Sequence, residues 1–124
     1  GEPIVEIMNR IKPPYNISQP TQDLLLKALK ETASVNERIQ EIVTMRELLA
    51  ADLDKLPIVR KVYPSDANFL LVKTDNAKAV YESLLTRGIV VRDRSRIVLC
   101  NDCLRITVGK KTENEELLKA LSII

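Results

Sequence analysis

The sequence predicts an α+β fold, a two-layer sandwich in which a small, mostly antiparallel sheet carries helices packed on one face. The first observation behind this prediction is the order of the patterns: a long helix, two strands, a helix, two strands and a helix. The second is the length of 124 residues, which suits one core-forming domain. The third is that aromatic residues make up only 3%, so we expect an aliphatic core.

We expect residues 1–17 to be the tail of something longer, a segment of a kind that usually packs against a neighbouring domain. Apolar positions within residues 4–11 predict a short helix that Pro13 stops. A second helix begins near Pro20, where the missing N–H costs nothing. These helices have little to pack against and the chain opens without Met, so we expect a piece of a longer protein.

The longest helix is expected to begin at Ser34, because residues 34–37 match a capping box. Apolar residues then recur at spacings of three, four and seven up to Leu56, and Pro57 ends the helix. This spacing gives the helix one apolar face, which we expect to pack against the sheet.

Strands and helices alternate in the rest of the chain. The predicted strands are residues 59–63, 69–73, 89–92 and 104–108. Asp75 or Asn76 caps the helix between the second and third strands, and Gly88 closes it. A second capping box, at residues 112–115, is expected to open the last helix.

The composition narrows the possible classes of function. Nineteen basic and 17 acidic residues are interspersed for a net charge of +2, so neither nucleic acid nor a membrane is an expected partner. The chain has no histidine, which excludes a histidine general base or triad. Its two cysteines do not suggest a secreted disulfide scaffold, and a cytoplasmic location is expected.

Two arginines on predicted strands are the main candidates for binding. Leu104, Ile106 and Val108 fall on one face of a strand, whereas Arg105 falls on the other. Arg92 lies in a second strand. A planar guanidinium matches a carboxylate or phosphate in bidentate fashion, so two of them can hold such an anion. The alternative is that each arginine pairs with a nearby acidic residue on the surface.

Weaker candidates have simpler explanations. Cys100 and Cys103 form a CxxC, but there is no second pair and no histidine to complete a zinc site, so no metal is expected. Residues 110–111 are a lysine pair that could contact an anion, although a solvated turn explains it better. Asn68 could point toward a ligand, but a turn-capping role is favoured. No residue is assigned a catalytic role.

Four segments together resemble a known family. They are Ile-Lys-Pro-Pro-Tyr-Asn-Ile-Ser at 11–18, Asn-Phe-Leu-Leu-Val at 68–72, Gly-Ile-Val-Val-Arg-Asp at 88–93 and Cys-Leu-Arg-Ile-Thr-Val-Gly at 103–109. In order and spacing they resemble histidinol-phosphate aminotransferases, pyridoxal-phosphate enzymes of the aspartate aminotransferase fold type. The resemblance implies that residues 1–33 return from a large domain and residues 34–124 are the C-terminal small domain.

The resemblance also implies roles for four substrate-binding residues. Arg105 matches the arginine that grips the substrate phosphate, or the α-carboxylate in relatives that use amino acids, and Arg92 matches an arginine that assists it. Tyr15 and Asn16 match a segment that passes near the active site. The family reaction moves an amino group between glutamate and imidazole-acetol phosphate in histidine biosynthesis. A small-molecule phosphate or carboxylate is therefore the expected substrate.

Other properties follow only from the resemblance. The full-length parent is expected to be a homodimer that uses pyridoxal 5'-phosphate. The Schiff-base lysine is expected to lie upstream, so this chain alone should bind no cofactor and be inactive. Two alternatives stay open: a related aminotransferase or decarboxylase acting on another amino acid or on threonine phosphate, and a free-standing α+β module that senses a small anion.

Overall fold

The computed structural model describes residues 2–11 and 17–124. Its helices are α1 (Glu2–Ile11), α2 (Gln19–Ala28), α3 (Thr32–Leu53), α4 (Ala77–Thr86) and α5 (Lys111–Leu121). Its strands are β1 (Val59–Val62), β2 (Phe69–Thr74), β3 (Arg92–Asp93) and β4 (Cys103–Thr107). Over these ranges, no helix combines the length and the apolar character that crossing a membrane requires.

The four strands form one sheet in the order β1-β2-β4-β3, with every neighbouring pair antiparallel. Leu70 lies opposite Ile106, and Val72 lies opposite Leu104, so the apolar positions of the two central strands share a face. The predicted α+β class, with helices on one face of an antiparallel sheet, is confirmed.

The core lies between this face of the sheet and three helices. Leu70, Val72, Leu104 and Ile106 are each at most 2% exposed and belong to one buried cluster. The helices add Leu49 and Leu53 from α3, Ala77, Val80 and Leu84 from α4, and Leu117, Ala120 and Leu121 from α5. Burying one such aliphatic side chain contributes roughly 1.5–3 kcal/mol, so this cluster is the main source of stability.

The chain divides into two compact units, Gly1–Asn36 and Glu37–Ile124. The second unit contains the sheet and the buried cluster. In the first unit the large apolar side chains of α1 and α2 are exposed, among them Ile4, Val5, Ile7, Met8, Leu24, Leu25 and Leu26. The boundary expected between residues 33 and 34 stays a prediction.

The predicted strand at residues 89–92 is wrong over most of its length. Strand pairing begins only at Arg92. Ile89 N–H still donates to the carbonyl oxygen of Leu84 at 3.0 Å, beyond Gly88, whose φ of +77° ends α4. Val91 is 7% exposed and belongs to the core cluster. Its apolar character therefore reflects packing rather than membership of a strand.

Two helices begin earlier in the chain than their predicted capping boxes imply. Ser34 lies inside α3, and its Oγ donates to the carbonyl oxygen of Glu31 at 3.1 Å. α5 begins at Lys111 rather than after Thr112, because the Glu113 carboxylate accepts the Lys110 backbone N–H at 2.7 Å. The cap on α4 is as predicted: Asn76 Oδ1 accepts the Ala79 N–H at 3.0 Å.

Candidate functional site

The sheet brings the two candidate arginines together. Arg92 of β3 is the direct cross-strand partner of Arg105 of β4, so both side chains leave the same face. Directly opposite residues have Cβ atoms about 4.5–5.5 Å apart, and like charges in that position are destabilising. Within residues 2–11 and 17–124, neither arginine forms an ion pair with a carboxylate. The described residues therefore do not support the alternative that each arginine pairs with its own acidic neighbour.

A phenylalanine ring supports Arg105. The guanidinium carbon of Arg105 lies 5.0 Å from the centroid of the Phe69 ring, within the range of a cation–π contact. Phe69 lies one diagonal step from Arg105, because it pairs with Thr107 and Leu71 pairs with Arg105. Arg105 is half-buried, and its Nε is buried with no hydrogen-bond partner among the described residues.

The same face carries two further cations. Lys73 of β2 lies opposite Cys103, and Lys61 of β1 lies opposite Lys73. The ammonium nitrogen of Lys61 is 4.8 Å from the centroid of the Tyr63 ring. We call the strand positions that point away from the helices the cationic face: Lys61, Phe69, Leu71, Lys73, Arg92, Cys103, Arg105 and Thr107. None of these eight is a carboxylate, so the face favours anions.

The acidic residue next to Arg92 is engaged elsewhere. Asp93 Oδ1 accepts the Ser95 backbone N–H at 2.8 Å in the turn that follows β3. Hydrogen bonding to Ser95 lowers the pKa of the Asp93 carboxyl below its ordinary value, and the nearby charge of Arg96 adds to the effect. A depression of about 400 Å³, lined in part by Arg92, Arg94 and Arg96, lies beside this turn. This end of the sheet is therefore rich in guanidinium groups.

The remaining candidate binding residues add little to the description of this site. Tyr15 and Asn16 lie outside the described residues. The backbone carbonyl oxygen of Asn68 accepts the Val108 N–H at 2.9 Å, and the role of the Asn68 side chain stays a prediction. Lys111 Nζ is 4.0 Å from a carboxylate oxygen of Glu115, an exposed helix pair.

The two cysteines are free thiols. Cys103 is 1% exposed, and burial raises the pKa of its thiol, with the nearby Cys100 adding to the effect. Among the residues that the structure describes, no group of three or more cysteine, aspartate or glutamate side chains could hold a metal ion. A buried thiol with a raised pKa is unreactive, which agrees with a packing role.

Sequence reasoning missed Phe69 and Lys73. Residues 69–72 are all apolar, so the sequence alone does not indicate which of them point away from the core. No sequence signal identifies these two residues, because the face that each takes depends on the register with the neighbouring strand.

The cofactor implied by the resemblance does not fit these residues alone. Pyridoxal phosphate needs a lysine for a Schiff base, a carboxylate beside its pyridine nitrogen and a cradle for its phosphate. Among the lysines that the structure describes, all except Lys73 are exposed, and the cationic face has no carboxylate. The described residues can hold an anion, but they do not form a site for the pyridine ring.

Comparison with known proteins gives the family. The family model for aminotransferase class I and II matches residues 2–121. Two relatives named histidinol-phosphate aminotransferase are those of Cytophaga hutchinsonii and Flavobacterium psychrophilum. The first is 46% identical over 118 residues, which is 95% of this chain and 34% of the relative. The second is 44% identical over 121 residues, which is 98% of this chain and 35% of the relative.

A solved structure shows the same fold. The crystal structure of the histidinol-phosphate aminotransferase from Clostridium acetobutylicum aligns with a TM-score of 0.80 and 26% sequence identity. The alignment covers 98% of this chain and 37% of that one. The chain thus spans about a third of the length of the curated relatives it matches.

Proposed function

The chain belongs to the aminotransferase class I and II family, and we propose that it supplies the substrate-anion grip of a histidinol-phosphate aminotransferase. Arg105 and Arg92 together hold the phosphate of the substrate. The names of the relatives support this substrate over an amino acid or threonine phosphate. The relatives that are 38–46% identical over nearly the whole chain are named histidinol-phosphate aminotransferase.

The observation that carries the proposal is the Arg92–Arg105 pair. The two arginines occupy directly opposite positions of neighbouring strands, although their charges repel. An anion placed between them turns that repulsion into attraction for both arginines. A phosphate monoester suits the pair better than a carboxylate does, because its charge at neutral pH is about −1.5 to −2 and its three oxygens can meet two forks.

The rest of the proposal rests on the resemblance to the family. It moves an amino group between glutamate and imidazole-acetol phosphate, and pyridoxal phosphate supplies the carbanion chemistry when bound. The parts of the relatives beyond this chain would supply the Schiff-base lysine and the pyridine partner. Tyr15 and Asn16 are proposed as further substrate-binding residues, and the parent enzyme is proposed to be a homodimer.

In this proposal the arginines fix the phosphate end of the substrate, so that its reacting amine is held in one place. A second consequence is specificity: a site that is built to bind a phosphate discriminates against an analogue that lacks it, because its donors are then left unpaired. By itself, the chain therefore positions the substrate and carries out no bond making.

The test is steady-state kinetics of a full-length enzyme that carries this sequence. For Arg105→Lys we expect kcat/KM for histidinol phosphate to fall by roughly tenfold to hundredfold, because a lysine offers one point charge in place of a fork. The matched controls are Lys110→Arg and Lys111→Arg, which lie off the cationic face and should stay within about twofold. Equal losses in all three variants would contradict the proposal.

A further inference from the structure

We infer that Phe69 is a positioning residue for Arg105: its ring holds the guanidinium in the orientation that the anion requires. The inference rests on the proposed anion grip and goes one step beyond it. The ring lies against the arginine, with 5.0 Å between the guanidinium carbon and the ring centroid.

An arginine on a sheet surface has several rotatable bonds, and fixing them has an entropic cost. A binding arginine that is already oriented avoids that loss when the ligand arrives. A planar guanidinium over an aromatic ring has fewer orientations available to it, and the contact adds cation–π attraction. Phe69 is suited to this role because it is itself half-buried and fixed in the central strand β2.

The state of Arg105 Nε indicates which part of the guanidinium is used. Among the described residues this nitrogen is buried and has no hydrogen-bond acceptor. An unsatisfied buried donor is destabilising, so the local packing maintains this orientation against a penalty. With Nε enclosed, the two terminal Nη groups are the donors that meet the anion, in an end-on fork. Arg92 then approaches the same anion from the neighbouring strand.

The first measurement needs no substitution. In the 124-residue chain, the Arg105 Nε–H proton should give a nuclear magnetic resonance signal displaced upfield by the ring current of Phe69. The displacement should persist when inorganic phosphate is added, because the ring already holds the bound orientation. A Nε–H signal at an ordinary position, or one displaced only after phosphate is added, would overturn the inference.

The second measurement is the affinity for inorganic phosphate at constant ionic strength, adjusted with chloride. Phe69→Leu keeps an apolar side chain and removes the ring, and we expect the dissociation constant to rise about threefold to tenfold. Phe69→Tyr restores the ring and should bind within about twofold of the original chain. The matched control is Tyr63→Leu, since that ring lies under Lys61 rather than Arg105. It should also stay within about twofold.

The outcomes separate this inference from the proposed function. If Arg92→Gln and Arg105→Gln leave phosphate binding unchanged, the anion grip itself is wrong. Circular dichroism checks that Phe69→Leu is folded. If the two arginine variants lose binding while folded Phe69→Leu keeps the original affinity, only the role of Phe69 is wrong. If Phe69→Leu and Tyr63→Leu weaken binding equally, the effect is a general property of the face and the specific role is overturned.

Discussion

The two faces of the sheet follow opposite rules. On the covered face, Leu104 and Ile106 are at most 2% exposed and pack into a single aliphatic cluster with three helices. On the cationic face, the intervening residue Arg105 stands opposite another arginine. Both sets come from the same strand, one residue apart. For these three residues, the face that the side chain points to, rather than the strand, therefore decides whether it serves stability or binding.

The difference teaches where local rules are broken. Every residue of the covered cluster satisfies the expectation that aliphatic side chains are buried. The Arg92–Arg105 pair violates the expectation that like charges avoid direct cross-strand positions. Departures from consistency are expected at functional sites, because a site is selected for the bound state rather than for the free protein. The contrast between the faces is thus itself an argument for the anion grip.

The largest expected effect separates the faces by stability. Leu104→Ala should lower the free energy of unfolding by about 2–5 kcal/mol, since it removes a fully buried side chain from the core. Leu71→Ala is the matched control on the cationic face, where the side chain is half-buried, and it should cost about 1 kcal/mol. Urea denaturation measures both values. Similar losses from the two variants would break the comparison.

A smaller effect should have opposite signs for two arginines. Arg92→Gln should raise the free energy of unfolding by about 0.2–1 kcal/mol without phosphate, because it removes the like-charge pair. Arg60→Gln should lower it by a similar amount, since Arg60 on β1 loses its ion pair with Asp75, in which Nη2 donates to Oδ2 at 3.0 Å.

Added phosphate should reverse the stability order of Arg92→Gln and the original chain. Binding stabilises only the folded state that holds the ligand, so added phosphate should raise the unfolding midpoint of the original chain more than that of Arg92→Gln. Chloride at matched ionic strength serves as the control for general salt effects. A destabilised Arg92→Gln in phosphate-free buffer would show that the arginine has a structural partner and would weaken the proposed role.

Much of the covered face could be predicted from the sequence. The alternation of Leu104, Arg105 and Ile106 correctly assigned each side chain to its face, because a period of two is a local property. The run at residues 89–91 was assigned wrongly, since a short apolar run looks the same whether it pairs in a sheet or packs beside a helix.

The pairing of the two arginines could not be derived from spacing. Thirteen positions separate them along the chain, and the connecting loop contains two left-handed residues, Leu99 at φ 67° and Asp102 at φ 56°. The register of a strand pair depends on such a loop and on the opposing strand. The resemblance to a family suggested that the arginines act together, and the strand register then placed them opposite each other.

The smallest expected effect concerns Cys103, which has a cationic-face position yet is buried. Burial raises the pKa of its thiol above the ordinary value of 9.0. Above that pH the unfolded chain loses the thiol proton while the folded chain keeps it, so stability should fall as pH rises from 9.0 toward the raised pKa. Well below pH 9.0 both states hold the proton, and Cys103 should contribute no pH dependence.

Urea denaturation across this alkaline range tests the point. Cys103→Ala should remove the part of the alkaline loss that the thiol causes, whereas Cys100→Ala, at a half-buried position, should largely keep it. An unchanged slope in Cys103→Ala would mean that the thiol is not sealed from water. Lys73 and Arg105 are its neighbours on the cationic face, and that result would show the face to be wetter beside them than the burial of Cys103 implies.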